Sequence, residues 1–170
     1  HATLAPLVAK RPGLRVPGAW DGFELAVRAV LGQQITVTAA RRLAGRMTER
    51  YGARLPEPRG GLSLLFPRPE RLARADVASL GMPRARARTI GTIAKAALAE
   101  PDLFLHGNVE RLMALPGIGD WTAQYVAMRA LGEPDAFPSS DIGLLRALET
   151  ANGRPTPKEL LALSEPWRPW

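Results

Sequence analysis

Leu115-Pro116-Gly117-Ile118-Gly119-Asp120-Trp121 lies between two helical patterns, and Phe137-Pro138-Ser139-Ser140-Asp141 follows the second of them. The first stretch reads as a tight Pro/Gly turn. Leu112 and Leu115 before it, and Trp121, Tyr125 and Val126 after it, pack two helices into a hairpin. Gly117 and Gly119 remove side chains from the turn, so that backbone N–H groups reach a phosphate oxygen directly. The N–H groups of Ile118, Gly119 and Asp120 are expected to point outward, where the helix dipole adds to the attraction for phosphate. Such contacts position a protein on a nucleic acid without reading its sequence. Taken alone, the turn is equally an ordinary αα-corner that uses Pro and Gly for turn chemistry. The second stretch puts a lone carboxylate, Asp141, at the start of a further helix. Capping or dipole compensation accounts for such a residue. A hairpin folded back on itself also sets it beside a nucleotide held at the turn.

Helical patterns extend outward on both sides. Asp21 reads as an N-cap, with Phe23, Val27, Val30 and Leu31 on one face behind it. The pattern breaks at Leu31-Gly32-Gln33-Gln34. A second helix starts near Thr36, with Ile35, Ala39, Leu43 and Met47 on one stripe, and Gly52 ends it. Residues 53–69 form a Pro/Gly/Arg-rich loop whose apolar patch, Leu62 to Phe66, is either a short strand or packed loop. Short helices are expected over Pro69–Ala75 and Asp76–Leu80. Pro83 opens a longer helix to Ala99, with Ile90, Ile93, Ala94, Ala97 and Leu98 facing the core. Asn108 is expected to cap the first hairpin helix, and the second runs from Asp120 to Leu131. Ser139 or Ser140 caps a helix to about Thr150, and Pro157–Ser164 forms the last. Almost every periodic segment is helical, so the expected class is all-α.

With 170 residues and 46% hydrophobic content, the chain can bury a core. Its formal charge of +7 favours a polyanionic partner. Only Lys10, Lys95 and Lys158 are lysines, and the other basic residues are arginine. Arginine suits phosphate recognition and equally reflects a GC-rich genome. The absence of cysteine excludes disulfides, thiolate catalysis and Cys-ligated metal or iron–sulfur centres. His1 and His106 are too few for a histidine-rich metal site, so neither metal nor cofactor is expected. No apolar stretch is long enough to span a bilayer. A monomer in the cytoplasm is the expectation. The start at His1 and the stop at Trp170 both look cut, which suggests a core truncated at both ends or part of a fusion.

From about Gly13 to Trp170 the chain resembles the catalytic core of the bacterial 3-methyladenine DNA glycosylase II family, within the helix-hairpin-helix/GPD superfamily. The matching stretches include Arg11 to Arg15, Phe23 through Leu31-Gly32-Gln33, Tyr51-Gly52 and Leu80-Gly81-Met82-Pro83. Further along they include Leu115 through Ala123, and Pro166-Trp167-Arg168-Pro169-Trp170. The resemblance implies a two-lobed helical body with the active site in the cleft between the lobes. Residues 1–22 would pack on the C-terminal lobe, 23–133 would carry the hairpin (109–131), and 134–170 would carry the catalytic residue. It implies that Asp141 is that residue, that Trp121 and Tyr125 form the base pocket, and that Gln34 fills the gap left by a flipped base. Gly117, Ile118, Gly119 and Asp120 would hold double-stranded DNA.

Relatives that also cut the strand carry a lysine at the position of Trp121, where it forms a Schiff base. Here no lysine lies between Lys95 and Lys158. The expected reaction is therefore hydrolysis of the N-glycosidic bond of alkylated purines, leaving an abasic site. An N3- or N7-methylated purine is cationic and already a good leaving group, so a carboxylate need only stabilise the sugar cation. Activation of water by Asp141 stays open. Trp121 and Tyr125, at i and i+4, also suit core packing. Arg84, Arg86 and Arg88 line a backbone-binding surface or a solvated basic face. A glycosylase for oxidised or mispaired bases, a non-catalytic DNA-binding module and an inactive fragment are the competing readings. Relatives continue past Trp170 with a helix that completes the pocket, so the chain is expected to be a weak enzyme alone.

Overall fold

The computed structural model describes residues 1–105, 109–151 and 153–168. Helix α2 (Gly22–Gly32) is its axis, in contact with α3 (Val37–Tyr51), α5 (Arg84–Ala99) and α7 (Asp120–Val126). The apolar spacing of α2 accounts for this position. Val27, Val30 and Leu31 are fully buried, and Phe23, Ala26 and Ala29 nearly so. Asp21 caps the helix as expected, its side chain accepting from Glu24 N at 2.6 Å. Thr36 does the same for α3 through Ala39 N at 3.2 Å. Met47 of α3 and Ile90 and Ile93 of α5 close the core against α2.

The expected helical class holds, with one addition. Residues 53–69 contain an antiparallel hairpin, β1 (Ala53–Arg59) and β2 (Leu62–Leu65). Gly60 and Gly61 both have positive φ and form its two-residue turn. Pro56 and Pro58 lack an N–H, and the pairing register shifts between Arg54 and Arg59, where they lie. The short helices appear as α4 (Pro69–Leu72) and a 3₁₀ turn (Val77–Leu80). Pro83 sits at the cap of α5 rather than in its first turn. Leu98, expected in the core, is 44% exposed.

The leading segment contains α1 (Ala5–Lys10), which buries nothing. Ring and hydrogen-bond contacts tie it to the body. The His1 ring meets Trp167 edge-on at 6.4 Å, and Ala19 N donates to Arg129 O at 2.8 Å. The expected cap at Asn108, and Pro169 and Trp170, lie outside the described residues. The first hairpin helix, α6, spans Val109–Met113.

Three further differences concern the C-terminal part. The α-helical hydrogen bonding of α7 stops at Val126, and Ala127–Leu131 continues as a π-helix, closed by Gly132 at φ +68°. Asp141, not Ser139 or Ser140, caps α8. That helix spans Ile142–Ala147, short of Thr150, and α9 (Pro157–Ser164) follows with a capping box at Thr156. Among the described residues, no helix is long and apolar enough to cross a membrane.

Candidate active site

The turn between α6 and α7 is built on one close approach. Gly117 has φ +90°, and a Cβ there would lie 1.9 Å from Oγ1 of Thr89 on α5. Only glycine accommodates both conditions. Ile118 differs from the expectation. Its N–H donates to Leu115 O at 3.0 Å and its side chain is buried, so it closes the turn instead of facing outward. Gly119 and Asp120 are exposed at the start of α7, where the first N–H groups of a helix have no intrahelical acceptor.

Asp141 is held from two sides. Its Oδ1 accepts from Gly143 N at 2.8 Å and Leu144 N at 3.1 Å, which is the N-cap of α8. Its Oδ2 accepts from Trp121 Nε1 at 2.8 Å. Capping and a role in the cleft are therefore not alternatives; the cap fixes the direction in which the second oxygen points. The loop before it is tied to the same helix, since Phe137 N donates to Oε1 of Gln124 at 3.0 Å. Helix α7 thus supplies both the aromatic wall and the anchors of the acidic loop.

Trp121 and Tyr125 stack, with ring centroids 5.1 Å apart and planes 15° apart. The next residue in the column is Arg129, whose guanidinium lies over the Tyr125 ring at 5.3 Å and donates to its hydroxyl at 2.7 Å. The Arg129 Nε also donates to Pro17 O at 2.9 Å, tying the leading segment to this wall. Tyr125 is held between a ring and a cation along the helix, which leaves Trp121 at the open end of the column.

A cleft of about 860 Å³ brings together Gln34, Gly119, Trp121 and Asp141 of the expected residues, and not Tyr125, Gly117, Ile118 or Asp120. Its walls are Gly32 to Thr36 from the turn between α2 and α3, Gly119, Trp121 and Thr122 from the hairpin, and Ser140 to Ile142. A purine nucleoside fits such a volume. Tyr125 lines an adjoining cavity of about 490 Å³ that shares Gly32, Ile35 and Trp121 with the first. Gln34 is exposed at the cleft rim in a left-handed conformation, φ +57°. Sequence reasoning missed Thr122, Gln124 and Arg129. Arg129 continues the i, i+4 spacing of Trp121 and Tyr125, a signal that could have found it, whereas the roles of Thr122 and Gln124 arise from tertiary placement. Among the described residues, no group of His, Cys, Asp and Glu is arranged to hold a metal ion.

Comparison with known proteins gives a consistent result. Residues 27–169 match the family described as HhH-GPD superfamily base excision DNA repair protein. The chain is 44% identical over 174 residues to the probable bifunctional transcriptional activator/DNA repair enzyme AlkA of Mycobacterium tuberculosis. That match covers 98% of this chain and 35% of the relative. It is 38% identical over 181 residues to DNA-3-methyladenine glycosylase 2 of Escherichia coli, covering 100% of this chain and 61% of the relative. Among solved structures, a 3-methyladenine DNA-glycosylase from Archaeoglobus fulgidus superposes with a TM-score of 0.78 at 28% identity. That superposition covers 98% of this chain and 60% of the other. The chain therefore spans about one third to three fifths of the length of these proteins.

Proposed function

The chain belongs to the HhH-GPD superfamily of base excision DNA repair proteins, and we propose that its cleft releases alkylated purines from double-stranded DNA by hydrolysis of the N-glycosidic bond. The observation that carries this reading is the bond from Trp121 Nε1 to Asp141 Oδ2. It joins an aromatic surface suited to a purine ring and a carboxylate suited to a sugar cation within one hydrogen-bond length. The names of the relatives, which speak of 3-methyladenine, favour the alkylated class.

In this mechanism the damaged nucleotide is rotated out of the duplex into the cleft. Its base meets the free end of the Trp121–Tyr125 column. An aromatic face attracts a cationic base by roughly 0.5–2 kcal/mol. The C1′–N bond then breaks and its electron pair leaves with the base, which neutralises the positive charge of the methylated ring. Asp141 stabilises the cation left on the sugar. Water adds to C1′ and loses a proton, and an abasic site remains. Gln34 fills the space vacated in the stack. The exposed turn at Gly117, Gly119 and Asp120 holds a phosphate of the backbone.

Two outcomes follow. Incubation with methylated duplex should release free base, and borohydride should trap no covalent adduct on an abasic site. Trp121 occupies the Schiff-base position and no lysine lines the cleft. A denaturing gel showing a protein–DNA adduct would contradict a purely hydrolytic enzyme.

The phosphate clamp is tested separately. A Cβ on Gly119 meets nothing within 4 Å, so Gly119→Asp should fold normally. Its negative charge should weaken duplex binding and flatten the log–log salt dependence by about 0.9, the contribution of one phosphate. Unchanged affinity, with circular dichroism of an intact fold, would remove the turn from the DNA-binding surface.

A further inference from the structure

Arg86 belongs to the Arg84–Arg86–Arg88 run at the start of α5, and it differs from its neighbours. Arg84 and Arg88 are exposed, whereas Arg86 is half-buried and its guanidinium donates to the main-chain carbonyl of Gln33. That carbonyl immediately precedes Gln34, which among the described residues is the single non-glycine residue with positive φ. An L-residue in this region persists only when its surroundings impose it. The turn is also held from the other side. The Gln33 side chain donates through Nε2 to Oγ1 of Thr122 at 3.0 Å, and Thr122 is a buried neighbour of Trp121. Glycine at position 34 would adopt the same backbone without strain, so the glutamine side chain is carried there in spite of its conformation.

We propose that Arg86 is a positioning residue that locks the Gln33–Gln34 turn in its left-handed geometry and thereby sets how efficiently a paired base is expelled from the duplex. This rests on the glycosylase reading above and on Gln34 as the residue that enters the stack. The bond is charge-assisted and comes from a different element than the turn itself, so it fixes the turn relative to the body. Arg86 in this role touches neither base nor sugar. Its loss therefore burdens the expulsion of a paired base and spares the chemistry on a base that is already unpaired.

The test compares Arg86→Met and Arg86→Lys with the unaltered chain. Single-turnover release of 7-methylguanine is measured from two duplexes, one with cytosine opposite the lesion and one with an abasic analogue opposite. Hydrogen–deuterium exchange of residues 32–36 is followed without DNA. Arg86→Met should lose about tenfold or more on the paired duplex, the scale of a sub-ångström to ångström misplacement. It should lose less than about twofold on the unpaired one, where no partner base has to be displaced. Exchange at 32–36 should quicken while α2 and α7 keep their protection. Arg86→Lys, which retains a cationic donor for the carbonyl, should recover most of the rate. Equal losses on both duplexes, or unchanged exchange in the turn, would overturn the proposal. If the unaltered chain releases base from neither duplex, the glycosylase reading fails, and the exchange data still decide whether Arg86 holds the turn.

Discussion

Asp141→Asn is expected to slow base release by about 10²–10³-fold, or about 3–4 kcal/mol of transition-state stabilisation, while duplex binding holds or tightens. The substitution is unusually clean for a capping residue. Asparagine caps helices about as well as aspartate, so the bonds from Gly143 N and Leu144 N survive and α8 remains in place. What changes is the second oxygen. In its place the amide turns an NH₂ toward Trp121 Nε1, a donor facing a donor where a 2.8 Å bond stood. That loss should cost about 0.5–1.5 kcal/mol of stability, too little to unfold a domain. Binding improves because a negative charge is removed from a surface that meets phosphates. Thermal melts, binding to a duplex with an abasic analogue, and single-turnover release separate these effects. Near-normal release would show that the carboxylate only caps.

Gly117→Ala should destabilise the fold by about 2–5 kcal/mol and abolish tight duplex binding. An L-residue at φ +90° carries about 1–2 kcal/mol of backbone strain. The new Cβ also meets Thr89 Oγ1 at 1.9 Å and its Cβ and Cγ2 at 2.9 Å, an overpacking worth about 1–3 kcal/mol. Relief by moving the hairpin off α5 displaces Trp121 and the exposed turn together. Combining it with Thr89→Ala should recover part of the packing cost and none of the backbone strain. A Gly117→Ala variant with unaltered melting and binding would mean that the hairpin does not depend on this contact.

Local chemistry made much of this architecture readable. Asp21 and Thr36 declare the starts of α2 and α3, and the spacing of Phe23, Val27, Val30 and Leu31 marks the buried face. The hairpin was legible in Gly117 and its flanking apolar residues. The β-hairpin was not, because Pro56 and Pro58 argue against a strand, although Gly60-Gly61 is a strong turn signal. Ser139, Ser140 and Asp141 all suit the cap of α8 in sequence. Only the folded chain reveals that the aspartate caps with one oxygen and faces Trp121 with the other. In the same way, sequence cannot say that Gln33 meets Thr122 across 89 residues, or that Arg86 reaches a carbonyl 53 residues away. These are long-range partnerships among residues whose local pattern suits a solvated helix face equally well.

What the cleft does to a methylated purine decides its function. The direct measurement is chromatographic detection of free base after incubating the chain and its Asp141→Asn variant with methylated duplex DNA. The unaltered chain should release 3-methyladenine and 7-methylguanine and leave abasic sites in strands that break only after alkali. The variant should release both about 10²–10³-fold more slowly. Binding without release by the unaltered chain, or equal release by both proteins, would contradict hydrolysis carried by Asp141 in this cleft.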